Sequence, residues 1–222
     1  MYDLIDVRMT RTGPHGPVDV LRDIDLHVPT GQVVAVHGSD VAARAALVRV
    51  LTGLERPSSG SVRFNDESLA VMTTKRLAQV RARELGLVPH PPRLLDRLTA
   101  EENVELGLAR QGVDPADRRQ RTDAALAAVG LGTARHSYPT QLSEEDRQRV
   151  AVARAIAAGA VVLVVEEPTP AVMLILVRLS RTMRITVVVT TQDETVAARA
   201  TSVHRLDRGR IEQQEASRRV AS

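Results

Sequence analysis

The loop that follows the apolar segment 32–37 has the position of a phosphate-binding loop, because it joins a predicted strand to a predicted helix. Free backbone N–H groups and the positive end of the dipole at a helix N-terminus attract anions. A phosphate loop has the pattern G-x-x-x-x-G-K-[ST], in which the lysine contacts phosphate and the hydroxyl contacts Mg²⁺. Residues 38–45 are GSDVAARA, so only the first glycine matches. By itself, this segment also fits an ordinary strand-to-helix turn.

Histidine and cysteine give no metal-binding pattern in this chain. The six histidines, at positions 15, 27, 37, 90, 136 and 204, are scattered and lack metal-ligand spacing. Cysteine is absent, which excludes a disulfide framework, a thiolate metal site and a cysteine nucleophile. No Ser-His-Asp arrangement is suggested either. We therefore expect neither a metal centre of this kind nor hydrolysis by a triad.

The elements that must position the loop alternate between strand and helix. Three apolar segments rich in β-branched residues lack polar alternation, as strands buried on both faces of a parallel sheet do. They lie at 32–37, 161–165 and 185–190, and helical patterns lie at 42–51, 100–108, 118–129 and 143–158. Half-exposed strands are predicted at 4–10, 18–28 and 61–64, around a turn-rich segment at 13–17. This order predicts an α/β fold with a parallel core and an antiparallel β element.

Composition is that of a globular protein. A chain of 222 residues fits one domain and can bury roughly 70% of its unfolded surface. Hydrophobic residues make up 43% and charged residues 26%, which excludes wholesale disorder. The core must be built from Val, Leu, Ile and Ala, because only three residues are aromatic. The apolar runs at 160–165 and 171–177 are too short to span a membrane, and no basic-then-apolar leader is visible. A soluble, cytoplasmic protein is therefore expected.

The basic side chains are almost all arginine. Lys75 is the only lysine, and the formal net charge is +3. No basic stripe is interleaved with aromatic residues, so nucleic-acid binding is not predicted. The general bias toward arginine is one explanation for Arg44 in the loop.

Short motifs along the chain resemble, in order and spacing, the ATP-binding subunit of ABC transporters. They are LTGL (51–54), PSSGSV (57–62), LGLVPH (85–90), LTAEENV (98–104), VGLG (129–132), YPTQLS (138–143), QRVAVARAI (148–156), EEPT (166–169) and DRGRI (207–211). The resemblance covers 4–211 and is greatest to the branch that serves lipoprotein-release, macrolide-export and cell-division permeases. It implies a P-loop NTPase-like parallel sheet core, an antiparallel β subdomain and a helical signature subdomain. It also implies one nucleotide-binding domain over 1–222, with core segments 1–90 and 160–215 and a helical subdomain at 91–159.

The resemblance implies a dimer that binds two ATP molecules with Mg²⁺, each between one subunit's phosphate loop and the other's signature loop. By position, it assigns nucleotide binding to Gly38, Ser39, Arg44, Ala45, Ala46 and Arg11, the last as a guanidinium in place of an adenine-stacking aromatic. Arg44 replaces the phosphate-binding lysine, and Ala45 replaces the hydroxyl that holds Mg²⁺. Val41 and Ala43 add Cβ atoms to a loop whose backbone should wrap phosphate closely. A well-formed Mg-ATP site is therefore not expected.

The signature loop departs further from the family pattern Leu-Ser-Gly-Gly-Gln. Here Ser143 is followed by Glu144, Glu145 and Asp146. A carboxylate about 5 Å from a phosphate charge costs on the order of 3 kcal/mol at an effective dielectric near 20, or roughly 100-fold in affinity. We expect Ser143 to cap a helix whose N-terminal dipole the acids complement. On this interpretation, the helix is kept and its phosphate contact is lost.

The remaining motifs match the family pattern at some positions and depart from it at others. Glu166 occupies the position of the carboxylate that holds Mg²⁺ through water, and Glu167 matches the general base that activates the attacking water. His90 stands where the resemblance expects a glutamine, and Thr191 stands at the switch histidine. The segment 169–185 is several residues short, and it lacks the aspartate of the expected D-loop.

Three functional hypotheses follow from the resemblance. The first is a subunit that docks on an integral membrane permease through 91–111, lies on the inner face of the cell membrane, and hydrolyses little or no ATP. Its ATPase partner is a second copy or another ABC ATPase subunit. The alternative is an active ATPase that powers export or lipoprotein release, and a further alternative is a decayed, non-functional paralogue. A DNA-repair relative is disfavoured because no coiled-coil insertion is present.

Overall fold

The computed structural model describes residues 1–13 and 16–212. Pro14 and His15, within the predicted turn at 13–17, lie outside the described residues, and so do residues 213–222 of the polar tail that the sequence predicts after Ile211. The described strands are β1 (Tyr2–Gly13), β2 (Gly16–Val28), β3 (Val33–His37), β4 (Ser59–Phe64), β5 (Glu67–Ser68), β6 (Leu85–Val88), β7 (Val162–Glu166), β8 (Thr186–Thr191), β9 (Ser202–Asp207) and β10 (Arg210–Glu212). The helices are α1 (Val41–Leu51), α2 (Thr74–Arg83), α3 (Ala100–Arg110), α4 (Pro115–Ala128), α5 (Glu144–Ala157), α6 (Pro170–Met183) and α7 (Glu194–Ala197).

The larger sheet has the strand order β10-β9-β3-β8-β7-β6, and all its neighbours are parallel except β10 with β9. Every residue of β3 and β8 is buried, which confirms the predicted valine-rich central strands. The register pairs His37 with Thr191 and Glu166 with Thr190. The C-terminal ends of β3, β8 and β7 therefore meet at one edge, where loops can bring distant residues together.

The smaller sheet, of order β2-β1-β4-β5, is antiparallel and packs with α1 against one face of the larger sheet. Tyr2 and Phe64 stack there with ring centroids 5.1 Å apart, and the Tyr2 hydroxyl donates to the Leu51 carbonyl at 2.8 Å. Burial raises the pKa of the Tyr2 hydroxyl. Two of the three aromatic residues thus join the antiparallel sheet to the end of α1.

Helices α3, α4 and α5 pack together, and their buried residues share a core with the other face of the larger sheet. A capping box fixes the start of α3, because Thr99 and Glu102 satisfy each other's backbone N–H groups. The fully buried Asn103 accepts from the Leu95 N–H at 2.8 Å and donates to the Leu98 carbonyl at 2.9 Å. This amide holds the preceding loop on α3. The division into 1–90, 91–159 and 160–215 stays a prediction.

The segment after Thr169 forms a helix that the sequence analysis did not predict. Thr169 caps α6, and its hydroxyl accepts from the Val172 N–H at 3.3 Å. The 14-residue helix therefore begins three positions after Glu167. Helices α2 and α7 and strands β5, β6, β9 and β10 were also not predicted. Within the described chain, no helix has the length and apolar character that crossing a membrane requires.

Candidate functional site

A cleft of about 450 Å³ opens at the C-terminal edge of the parallel sheet. Its lining brings together Arg44 and Ala45 from the first turns of α1, His90 after β6, and Glu166 and Glu167 at the end of β7. Val41, Thr190 and Gln192 complete the lining. Five of the predicted site residues therefore share one cleft, although they come from three distant parts of the chain.

The start of the loop is closely packed. The Gly38 N–H donates to the Thr191 carbonyl at 3.1 Å. A Cβ at position 38 would lie 2.0 Å from the Leu206 carbonyl oxygen, so only glycine fits here. Ser39 does not line the cleft; it faces a neighbouring cavity of about 290 Å³.

The N-terminus of α1 is already occupied by a carboxylate. Asp40 is the N-cap, and its Oδ1 accepts from the Ala43 N–H at 3.0 Å. A phosphate bound at this helix end would compete for that N–H and meet the Asp40 charge. Asp40 is thus a determinant of the site that the sequence analysis quoted without a role. The signal was an aspartate placed directly before a predicted helix.

Arg44 is directed into the protein and not toward the solvent side of the cleft. Its side chain is 8% exposed, and its Nη2 donates to Glu167 Oε1 at 2.7 Å. Its Nη1 donates to the Gly38 carbonyl. Arg44 is the only arginine or lysine in the cleft lining, so the cleft's fixed positive charge is compensated within the chain.

The second carboxylate oxygen of Glu167 is also engaged. Oε2 accepts from the Thr191 hydroxyl at 2.9 Å and from the Gln192 N–H at 3.1 Å. Together with Arg44, these donors form what we call the Glu167 network (Arg44, Glu167, Thr191 and Gln192). The switch position and the general-base position are therefore in direct contact.

Gln148, on α5, holds the backbone of the same junction. Its Nε2 donates to the Glu167 carbonyl at 2.9 Å, and its Oε1 accepts from the Thr169 N–H at 3.0 Å. Gln148 is almost fully buried, and Glu167 has a φ of 44°, a left-handed conformation that is strained for a side chain of this kind. The sequence analysis assigned Gln148 no role, and its position within α5 gave no local signal for this contact.

His90 lies between two acids. Its backbone N–H donates to Glu166 Oε2 at 3.2 Å, and its Nδ1 is 3.6 Å from Glu144 Oε1. One residue therefore connects the predicted magnesium position with the first turn of α5.

The signature segment forms the predicted helix cap. The Ser143 hydroxyl accepts from the Asp146 N–H at 3.0 Å and donates to Asp146 Oδ2 at 2.8 Å. Glu145 forms an ion pair with Arg149 one turn along α5. The donor and acceptor capacity of Ser143 is thus used locally, which confirms the expected capping role.

Two further residues assigned to nucleotide binding, like Gly38 and Ser39, lie outside the cleft lining. The side chain of Ala46 is fully buried in the core between α1 and the sheets. Arg11, on β1, pairs with Glu55 at 2.6 Å, and Glu55 also pairs with Arg49 of α1 at 2.7 Å. Stacking of Arg11 on a base stays a prediction.

The residues of the cleft do not fit a magnesium–triphosphate group in this arrangement. Ala45 offers no oxygen, and Arg44 already has a carboxylate partner. The described cleft lining has two carboxylates, Glu166 and Glu167, for one guanidinium, and Asp40 adds a further carboxylate at the N-terminus of α1. Over 1–13 and 16–212, no group of three or more His, Asp and Glu residues is arranged to hold a metal ion.

Comparison with known proteins agrees with the fold. Residues 21–170 match the family described as ABC transporter. The chain is 36% identical, over 219 residues, to an uncharacterized ABC transporter ATP-binding protein of Thermotoga maritima, which covers 96% of this chain and 90% of that protein. It is also 36% identical, over 202 residues, to the macrolide export ATP-binding/permease protein MacB of Wolinella succinogenes, covering 87% of this chain and 31% of that protein.

The chain therefore belongs to the ABC transporter family and has the fold of its ATP-binding domain. It spans about a third of the length of the ATP-binding/permease relatives, among them the pyoverdine export protein PvdT of Pseudomonas fluorescens, at 34% identity and 95% coverage of this chain. Among solved structures, the ATP-binding cassette MJ0796, a dimer bound to ADP and Pi, superimposes with a TM-score of 0.87 at 27% identity, covering 97% of this chain and 98% of that one. The predicted ABC ATPase fold is thereby confirmed.

Proposed function

We propose that this chain is the nucleotide-binding subunit of an ABC transporter, that it docks on an integral membrane permease, and that it hydrolyses little or no ATP. It would lie at the inner face of the cell membrane, held there by the permease. The observation that carries the proposal is the ion pair between Arg44 and Glu167. In this pair, Arg44 at the phosphate-binding position contacts Glu167 at the general-base position.

Charge supports weak nucleotide binding. The described lining of the cleft has two carboxylates and one guanidinium, and the Asp40 carboxylate caps the adjoining helix, so an incoming triphosphate meets net negative charge. At an effective dielectric near 20, one carboxylate about 5 Å from a phosphate charge costs on the order of 3 kcal/mol, or roughly 100-fold in affinity. Without a hydroxyl at Ala45, a bound Mg²⁺ would also lack one of its usual oxygen ligands. ATP and Mg²⁺ binding are therefore proposed to be weak or lost.

The position of Glu167 supports the loss of turnover. A general base must have a free oxygen within hydrogen-bond distance of the water it activates. Both Glu167 oxygens already accept hydrogen bonds within the protein, one from Arg44 and one from Thr191 and Gln192. A water activated by Glu167 would therefore have to share Oε1 with the Arg44 guanidinium, because Oε2 already accepts two hydrogen bonds.

The segment proposed to contact the permease, 91–111, is held by specific hydrogen bonds. The capping box of α3 and the Asn103 hydrogen bonds fix the segment that begins after His90, and Leu95 on it is 50% exposed. Docking could thus persist without catalysis. Buried hydrophobic residues form a core on each face of the larger sheet, which argues against a decayed paralogue that does not fold. Pairing with a competent ATPase subunit would not rescue both sites, because this chain contributes an altered loop to one and an acidic signature to the other.

The alternative, an active ATPase, is favoured by one observation: Glu167 is retained at the end of β7 and lies in the cleft. ATP hydrolysis by the purified wild-type protein and by Glu167→Gln separates the two. We expect no difference between them above the uncatalysed background. A Mg²⁺-dependent rate that Glu167→Gln abolishes would establish the active ATPase instead, whereas a wild type without a cooperative unfolding transition would indicate the decayed paralogue.

A further inference from the structure

We propose that Glu167 acts as an internal anion, which occupies Arg44 in place of phosphate and keeps the cleft from binding triphosphate ligands. This inference rests on the proposed function and deepens it, because it assigns the weak binding to one side chain. The departures of the loop from the family pattern would then be only part of the cause.

The first argument is that the protein itself supplies both partners of the Arg44 guanidinium. Its guanidinium bridges the Gly38 carbonyl at the start of the loop and Glu167 at the end of β7. The Arg44 side chain is 8% exposed and that of Glu167 is 25% exposed, so water screens the pair weakly. A phosphate that binds this cation therefore competes with the carboxylate for it.

The second argument is that Glu167 cannot easily move aside. Its other oxygen is held by Thr191 and Gln192, and its carbonyl is held by the buried Gln148. A residue in the strained left-handed region persists only where several contacts determine its position. The carboxylate is therefore fixed beside Arg44 even though its own backbone is strained.

The consequence is a competition that can be measured. Replacing Glu167 by glutamine keeps the shape and a hydrogen-bonding oxygen but removes the charge. Arg44 is then free to pair with a ligand, and the carboxylate no longer repels it. We expect Glu167→Gln to bind inorganic tripolyphosphate, without added metal, at least about tenfold more tightly than the wild type does.

The test uses calorimetric titration and thermal unfolding of the full chain with tripolyphosphate, so that hydrolysis and magnesium play no part. Glu101→Gln is the matched control, since it breaks another close Glu–Arg pair, from Arg135 Nη2 to Glu101 Oε1 at 2.6 Å, away from the cleft. The control should be destabilised without gaining affinity. Arg44→Ala combined with Glu167→Gln should lose the gained affinity.

If Glu167→Gln does not fold, Glu167→Gly provides the second variant, because glycine adopts the left-handed backbone without strain. Affinity for tripolyphosphate no higher than that of the wild type in the folded variant would overturn the inference, and so would a gain that survives the loss of Arg44. The proposed function fails on a different result, Mg-ATP turnover by the wild type. The two failures are therefore distinguishable.

Discussion

The N-termini of α1 and α5 use different residues for the same local purpose. At α1, Asp40 caps the helix, and the first turn carries no other acid. At α5, Ser143 is the cap and three acidic residues follow it. At each helix end, a side chain of this chain accepts a hydrogen bond from one backbone N–H group. The comparison teaches that capping stabilises a helix end while it removes one of the free N–H groups that a ligand would otherwise bind.

The largest effect is expected from Arg44→Ala, which leaves Glu167 without its cationic partner. Since Glu167 is only 25% exposed, we expect a loss of about 2 kcal/mol in the free energy of unfolding. Urea unfolding monitored by circular dichroism measures it. Arg11→Ala is the matched control, because its pair with Glu55 is more exposed and should cost less than about 1 kcal/mol. Equal losses in the two variants would contradict the importance of the internal pair.

Removing either cap tests whether the two helix ends are equivalent in stability. We expect Asp40→Ala and Ser143→Ala each to lower the free energy of unfolding by about 1 kcal/mol, because each leaves an N–H without its acceptor. Chemical denaturation of both variants at the same pH compares them. A loss confined to one helix would show that the other N-terminus does not depend on its cap.

A finer test separates the cap of α1 from its charge. Asparagine is as good an N-cap as aspartate, so Asp40→Asn should change the free energy of unfolding by less than about 0.5 kcal/mol. Removing the charge should, however, increase the affinity for tripolyphosphate in the Glu167→Gln background. Paired titrations of the two variants measure this difference. Unchanged affinity would mean that Asp40 acts only as a cap.

The smallest effect concerns an ion pair remote from the cleft. Hydrogen bonds from Arg135 hold the pKa of Glu101 below its ordinary value, and His136 Nδ1 lies 3.5 Å from the same carboxylate. A lowered folded-state pKa stabilises the protein above the unfolded-state value of about 4.3, and this contribution is lost as the pH falls through the folded-state pKa. The stability difference between wild type and Glu101→Gln should therefore be present at pH 7 and shrink below about pH 4. A difference that grows in acid would contradict this assignment.

Much of the fold follows from local pattern. The apolar segments rich in valine predicted β3, β7 and β8 to within one residue at every end, and a serine before an acidic turn predicted the start of α5. Helix α2 was missed because its sequence is mostly polar and only Val80 is buried. Helix α6 was not predicted although a threonine and a proline stand at its start, because the sequence analysis compared 169–185 only with the family motifs and assigned it no helical pattern.

The contacts within the site were harder to predict from the sequence than the fold was. Motif order placed Arg44, Glu166, Glu167 and His90 in one region, and they do line one cleft. The pairing of Arg44 with Glu167 spans 123 positions, and no local pattern specifies which partner a buried guanidinium chooses. The support from Gln148 depends on how α5 packs against the β7 to α6 junction, which is a tertiary property.

The most direct test of the central claim is a calorimetric titration of the purified wild-type protein with Mg-ATP, with Arg44→Ala as the control. The internal pair predicts no saturable heat up to several millimolar, which corresponds to a Kd weaker than about 1 mM, or roughly −4 kcal/mol. Saturable binding tighter than about 1 mM that disappears in Arg44→Ala would contradict the account. Arg44 would then serve as a phosphate ligand despite its contact with Glu167.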